Sequence, residues 1–469
     1  MPPAVATALC SLVVLGLFWL DRDQKARTSI ALWLPVIWVG LACSRSVSQW
    51  LWMESAQSVE QVLEGDPVDR LVYTALLAAG LIVLISRKQR VVRVLQANGP
   101  ILLFFFYCVT SLLWSDYPDV AFKRWIKALG DFVMLLVVLT DREPSAAFKR
   151  LLARVSYVLI PFSIVFIKYY PELGTGYSPW GGPPTYTGVT TNKNTLGVIC
   201  LCFGLGALWR FLALYKDREV SGRTRQLIAQ GALLAMALWL FRTANSMTSL
   251  SCFLMASILL VTTTFWASMR RPAVLHLVIA AMLAASVSVL FLGIGQGVLE
   301  TMGRNPTLTD RTEVWALLRS LVQNPLLGTG FESFWVGPRL VKLWSVYWWH
   351  PNEAHNGYLE IFLNLGWAGL VLLALVLVTG YRTVVSAYRR NLPMGNLRLA
   401  LFVVGIAYNF TEAAFFKMLA PAWIFFLLAI VSVPAVAYRK LQPTPQSLSE
   451  HHAPLTHEHA PSTLSEEIV

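Results

Sequence analysis

Charge is scarce in this chain. Of 469 residues only 14% are Asp, Glu, Lys or Arg while 56% are hydrophobic, and the mean hydropathy is +0.57. So little charge cannot wet the surface of a soluble fold, which excludes a soluble globular domain and leaves a membrane protein. Cysteine is sparse too: Cys10, Cys43, Cys108, Cys200, Cys202 and Cys252 lie in or at the edges of apolar runs, which argues against a disulfide framework. Cys200 and Cys202 would point to different faces of a helix, so packing is expected rather than metal ligation. The chain shows no nucleotide-binding glycine motif, no zinc-ligand spacing and no internal repeat. The alternating pattern of a membrane β-barrel is missing as well, because the apolar runs are long and continuous.

What the chain does have is apolar runs of spanning length, for which about 20 residues are needed. They lie near residues 4–20, 30–50, 71–85, 100–114, 125–139, 151–168, 194–213, 227–241, 246–266, 273–293, 358–379, 399–413 and 418–437. The expected fold is all-α, a polytopic transmembrane helical bundle of about 12–13 spans. The net charge of +12 does not imply nucleic acid, because the cations sit in short loops between the runs. Arg87, Lys88, Arg90 and Arg93, then Arg142, Lys149 and Arg150, then Lys216, Arg218, Arg223 and Arg225, then Arg270 and Arg271, then Arg382, Arg389 and Arg390 fall on one side when every span is counted. That side is expected to be cytoplasmic. Opposite loops are acidic or mixed, as with Glu54, Glu60, Glu64, Asp66 and Asp69, which puts the N-terminus outside and the C-terminus inside. The first run lacks a basic leader and reads as a retained span.

Two outer loops are long enough to hold structure, 169–193 and 294–357. In the second, Asp310 and Glu313 frame a capping-box-like start before the apolar period of Val314, Trp315, Leu317, Leu318, Leu321 and Val322, which predicts an amphipathic helix at the membrane surface. Asn324-Pro325 ends it, Gly328-Thr329-Gly330 reads as a turn, and Trp335, Trp344, Tyr347, Trp348 and Trp349 suit either a headgroup-level belt or a sugar-stacking surface. Residues 441–469 carry His451, His452, His457 and His459 without an apolar period and read as a solvated, disordered cytoplasmic tail.

Polar groups within or beside spans are costly in lipid and face the bundle interior or a wet cavity. Here they gather on the outer side: Lys193 and Asn194 open the seventh span, Arg242 opens the ninth, Arg311 lies in the first turn of the loop helix, and His355 and Asn356 open the eleventh. Lys193, Arg242 and Arg311 carry fixed positive charge, two of them near helix N-termini that favour anions, as a pyrophosphate requires. The blander alternatives are a solvated charge for Arg311 and interfacial snorkelling for Lys193 and Arg242. Asn356, Glu360 and Asn364 recur at helical spacing behind His355 and form an inward polar stripe. Histidine titrates near neutrality, so His355 suits a general base; the alternative is an interfacial histidine bonded to a neighbour. His350 is a weaker candidate, His276 reads as structural, and Glu412 with Asn409 and Lys417 either completes the outer cavity or caps a tight hairpin.

In combination, Arg311-Thr-Glu-Val-Trp315, Asn324-Pro-Leu-Leu-Gly-Thr-Gly330 and His355-Asn-Gly-Tyr-Leu-Glu-Ile-Phe-Leu-Asn-Leu-Gly366 resemble the shared region of the O-antigen ligase and O-antigen polymerase superfamily. Thr190-Thr-Asn-Lys-Asn-Thr-Leu-Gly197 resembles its Lys-Asn segment, and the detail is most like the exopolysaccharide polymerases. The resemblance spans roughly residues 185–370, leaving 1–184 and 371–440 as flanking transmembrane helices. It implies a metal-independent, cofactor-free, inverting transferase of GT-C-like architecture in a bacterial inner membrane, with its active site on the periplasmic side. Its expected donor is an undecaprenyl-diphosphate-linked glycan, and its further partners are membrane lipid and other polysaccharide assembly and export proteins. By the same resemblance Arg311 and a basic residue before the ninth span hold the pyrophosphate, while His355 assists the acceptor hydroxyl. Many ligases carry an arginine beside the serine of the segment matching Asn245-Ser-Met-Thr-Ser249, whereas here the nearest is Arg242, which fits a polymerase better than a ligase. A ligase acting on lipid A core or protein is the alternative within this chemistry. The alternative of another class is a flippase for lipid-linked oligosaccharide, which would show repeated halves and broken helices at midplane.

Overall fold

Unbroken apolar runs force helices, because backbone N–H and C=O groups in hydrocarbon must be satisfied within their own segment. The structure, a computed structural model, describes residues 1–22, 27–52, 65–177, 183–291, 309–392 and 394–434, without the side chains of 289–291 and 309–312. The tail 441–469 and the first part of the loop 294–357 lie outside the described residues. In chain order the helices are α1 (Pro3–Leu20), α2 (Trp33–Ala42), α3 (Val47–Trp52), α4 (Pro67–Ser86), α5 (Lys88–Gln96), α6 (Gly99–Thr110), α7 (Pro118–Leu139), α8 (Pro144–Tyr169), α9 (Pro171–Gly174), α10 (Lys193–Lys216), α11 (Arg223–Ala244), α12 (Met247–Phe265), α13 (Pro272–Phe291), α14 (Thr309–Ser320), α15 (Gly337–Val346), α16 (Gly357–Arg389), α17 (Gly395–Tyr408) and α18 (Pro421–Ile430). Among the described residues the only strands are β1 (Thr175–Gly176) and β2 (Thr185–Tyr186), paired antiparallel in the loop before α10.

The chain is a multi-pass helical membrane protein, with a span count that differs from the sequence expectation. Seven described helices, α1, α4, α8, α10, α11, α12 and α16, are long and apolar enough to cross a bilayer, and α5 with α6, bent by 90°, would make an eighth. Expected spans near 30–50, 399–413 and 418–437 appear instead as shorter apolar helices, Ile30–Ala42, Gly395–Tyr408 and Pro421–Ile430, while the one near 273–293 corresponds to α13. Turns cut them short: Asn409 closes α17, and Pro421 opens α18 only after a coil. The run 125–139 is the more apolar part of α7, whose preceding turns carry Lys123 and Arg124.

The centre of the bundle is α10, which packs against α8, α11, α12, α17 and α18. Close approach depends on Gly197, where a Cβ would come within 2.6 Å of Ser246 at the start of α12. At the other end Arg210 grips Asp21 through two bonds of 2.6 and 2.7 Å, and Gln230 bonds Tyr157 at 2.6 Å, tying α1, α8, α10 and α11 together. All six cysteines are buried and free, as packing residues are.

The conspicuous break is in α16, where Gly366 adopts φ 62°, ψ −162°. A broken helix strands backbone groups that lipid cannot satisfy, and the segment Asn324–Gly330 satisfies them. Thr329 N and Gly330 N donate to the carbonyls of Leu363 and Asn364, while Trp367 N and Ala368 N donate to those of Pro325 and Leu326. The segment holds its own turn through Asn324 Oδ1, which accepts from Leu326 N and Leu327 N. The expected turn at 328–330 is therefore a dock for the helix break. Above it, Val314, Leu318, Val322, Phe334, Trp335, Leu340, Leu343, Ala354 and Leu363 form a separate small core, so the apolar period read for α14 does face inward.

Candidate functional site

Five polar side chains shape the wall at the end of the bundle where α10 and α16 begin. Asn192 caps α10 by accepting from Thr195 N at 2.8 Å. The loop before it is fixed by buried Arg45, which donates to the carbonyls of Leu173 and Thr190. Asn356 caps α16, accepting from Tyr358 N and Leu359 N, and its amide donates to the Phe410 carbonyl. Asn409 then folds the loop after α17: Oδ1 accepts from Ala414 N and Phe415 N, and its carbonyl accepts from Gly357 N. From below, buried Asp131 of α7 accepts from Leu419 N and from Trp38 Nε1. These clamps set the loop 409–420 against the starts of α10 and α16.

The result is a cavity of about 650 Å³ lined by Lys193, Asn194, Glu353, His355, Glu412 and Lys417, among others. His355 Nδ1 lies 3.1 Å from Glu353 and 3.3 Å from Glu412, and Asn194 donates to the other Glu412 oxygen at 3.4 Å. Lys417 pairs with the second oxygen of Glu353. Burial acts to lower the Lys417 ammonium, but Glu353, with Glu360 and Glu332 further away, outweighs it and pushes it up to about 12. The imidazole's Nε2 takes no hydrogen bond among the described residues. His355 sits at φ 48°, and Phe416 and Leu419 of the facing loop are also left-handed, at 55° and 57°. Such strain in non-glycine residues concentrates at functional sites.

A second cavity of about 640 Å³ adjoins the first, sharing Lys193 and Thr185 with it. Its charged lining is Lys168, Lys193 and Arg242, with no carboxylate. Lys168 also lies 5.0 Å over the Trp239 ring. Neither Lys193 nor Arg242 is paired with another side chain among the described residues. Lys193 opens α10, so free N–H groups add to the positive field there. Asn245, at φ 49°, makes the tight turn from α11 to α12, and Ser246 and Ser249 beyond it face Gly197.

Of the residues singled out in the sequence, Lys193, Asn194, His355 and Glu412 line the first cavity, and Lys193 and Arg242 the second. Asn356 and Glu360 line neither. Glu360 is buried and accepts from Trp335 Nε1, Ala354 N and Asn364 Nδ2, while Asn364 Oδ1 accepts from Ser333 N and Phe334 N. The polar stripe thus holds the loop onto α16. Arg311 belongs to α14, but its side chain lies outside the described residues. The tryptophans divide: Trp335 is buried, Trp344 stacks on His350 at 4.6 Å, and Trp348 is exposed. His276 bonds Tyr381 at the opposite end of α16. Sequence reasoning missed Glu353, Lys168 and Arg45; the first sits in a loop without period, the second ends an apolar run, and the third falls inside one.

Glu353, His355 and Glu412 bring their ligand atoms within 4.8 Å of one another and form a group that could hold a cation. Lys417 already supplies a positive charge to Glu353, and His355 directs one nitrogen at both carboxylates. In this arrangement the group forms a hydrogen-bonded relay.

Residues 231–374 match the O-antigen ligase family. The chain is also 26% identical over 285 residues to the exopolysaccharide production protein ExoQ of Rhizobium meliloti (strain 1021), an alignment covering 59% of this chain and 62% of that protein. The chain therefore spans somewhat under two thirds of the curated relative it matches. The matched region contains α12, the docking segment and His355, whereas the Lys-Asn segment at the start of α10 precedes it. The sequence resemblance and these matches agree: through residues 231–374 the chain is similar to the O-antigen ligase family, and over 285 residues to an exopolysaccharide production protein.

Proposed function

We propose that this protein polymerises undecaprenyl-diphosphate-linked oligosaccharide repeat units into exopolysaccharide, at the periplasmic face of a bacterial inner membrane. The observation that carries the reading is Lys193, which stands where a carboxylate-free cationic cavity meets the one holding the His355 relay. The donor's polyprenyl chain remains in the bilayer while Lys168, Lys193 and Arg242 hold its diphosphate; Arg311 joins them on the family resemblance. The acceptor sugar enters the His355 cavity. Glu353 and Glu412 hold Nδ1–H, leaving Nε2 as the lone pair that takes the acceptor hydroxyl proton. The acceptor oxygen forms its bond to the anomeric carbon as the carbon–oxygen bond to the diphosphate breaks, and the electron pair leaves on the diphosphate. One displacement inverts the anomeric centre. The cations stabilise the charge that develops on the leaving group, the role a divalent ion plays elsewhere.

A ligase that transfers finished glycan to lipid A core or to protein is the second reading, favoured by the description of the matched family. A deletion strain separates the two. Accumulated single repeat units on lipid support the polymerase, and accumulated finished polymer on lipid supports the ligase. Unchanged intermediates with internal, unflipped repeat units would instead support a flippase.

A further inference from the structure

At the end of α16 remote from His355 lies a cleft of about 530 Å³ that the proposed transfer does not use. It opens between α13 and the last turns of α16 and is lined by His276, Tyr381, Arg382, Val385, Arg389 and Arg390, among others. Arg382, Arg389 and Arg390 are exposed and paired with no carboxylate among the described residues. Planar guanidinium groups without partners are suited to forked contacts with phosphate oxygens. The helix C-terminus favours cations and accounts for part of this charge, but not for the concave wall or for what adjoins it. Val371, Leu375 and Val378 are exposed at 68%, 40% and 52% and follow one face of α16 toward Arg382, and Leu277, beside His276, is 70% exposed. An apolar strip leading into a cationic cleft matches a molecule with an acyl chain at one end and a phosphate at the other.

We infer that this cleft is a binding site for the phosphate headgroup of an anionic membrane lipid, with an acyl chain lying along Val371, Leu375 and Val378. The inference depends on the helical membrane fold and not on the proposed transferase activity, so either can fail alone. The test uses purified full-length protein in neutral-lipid nanodiscs or detergent, titrated with phosphatidylglycerol in one arm and inorganic phosphate in the other. Bound lipid is counted by native mass spectrometry, and the unfolding temperature is followed in parallel. Phosphatidylglycerol should bind and raise the unfolding temperature where inorganic phosphate does not. The triple change Arg382→Gln, Arg389→Gln and Arg390→Gln should weaken lipid binding by roughly a hundredfold, whereas Arg218→Gln, in another loop of the same side, should leave it unchanged. If the triple variant misfolds, Arg390→Gln alone should still weaken binding measurably. Equal loss in Arg218→Gln, lipid binding that survives the triple change, or equal stabilisation by free phosphate would overturn the inference.

Discussion

His355 is held at φ 48°, a conformation that costs a non-glycine side chain about 1–3 kcal/mol. The surroundings that maintain it are the two carboxylates on Nδ1, the Lys417 pair and the Asn356 cap. As the proposed base, His355 should carry about 10²–10⁴-fold of the rate, so His355→Ala should lower polymer formation by that factor with normal membrane levels of the protein, read by immunoblot and product gel. Lys417 belongs to the same network but with a different consequence. Its folded-state value is raised from 10.5 to about 12, so its contribution to stability is complete below pH 10.5 and is lost only as pH rises through about 12. Lys417→Met should therefore lower the unfolding temperature at every pH of an ordinary assay, without a pH step between 6 and 9 (a window of about 3 units). Chelation offers a further check: if the group is a relay, EDTA should leave the initial rate unchanged, and loss of activity restored by added divalent cation would make Glu353, His355 and Glu412 metal ligands instead. The His355, Lys193 and Glu412 positions were legible because each is polar beside an apolar run. Glu353 was not, because only the fold brings a loop carboxylate to the imidazole.

At the scale of elements, the break in α16 explains why a helix otherwise long enough to span contains Gly366 and why Asn324–Gly330 follows α14. A Cβ at Gly366 would lie 2.4 Å from the Leu326 carbonyl carbon, and one at Gly328 would lie 2.5 Å from that of Asn364. Both glycines also have positive φ. Gly366→Ala and Gly328→Ala should each destabilise the docked loop by about 2–4 kcal/mol, seen as a lower unfolding temperature and faster proteolysis within residues 321–356. Because they act on one contact, the double change should cost less than the sum. The sequence announced a turn here and an amphipathic α14, both local properties. It could not announce that the turn completes a transmembrane helix, since that depends on backbone bonds between Thr329 or Gly330 and Leu363 or Asn364, and between Pro325 or Leu326 and Trp367 or Ala368, a sequence separation far beyond turn range. The polar stripe was equally half-legible: its inward direction follows from spacing, but its partners, the Trp335 indole and the backbone of Ser333 and Phe334, come from the folded loop.

For the whole molecule, the distribution of polarity assigns α16 two ends of different character, the His355 cavity at its start and the arginine cleft at its finish. On the topology expected from the short basic loops, the latter would face the cytoplasm. Because all six native cysteines are buried, single introduced cysteines can report sidedness. Thr191→Cys and Trp348→Cys should react with an impermeant maleimide in intact spheroplasts, while Arg218→Cys and Arg390→Cys should react only after lysis. The all-α class was fully legible from hydropathy, yet the number of spans was not. Hydropathy counts apolar residues, whereas spanning also needs an unbroken helix, and Asn409 and Pro421 break runs that composition alone would join. The most direct test of the account is the length distribution of product made by purified protein from a lipid-diphosphate-linked repeat unit, compared with Lys193→Ala and the paired change Lys168→Ala with Arg242→Ala. The account predicts long polymer from the unaltered protein and unextended repeat units from both variants; polymer of unchanged length from the variants would contradict it.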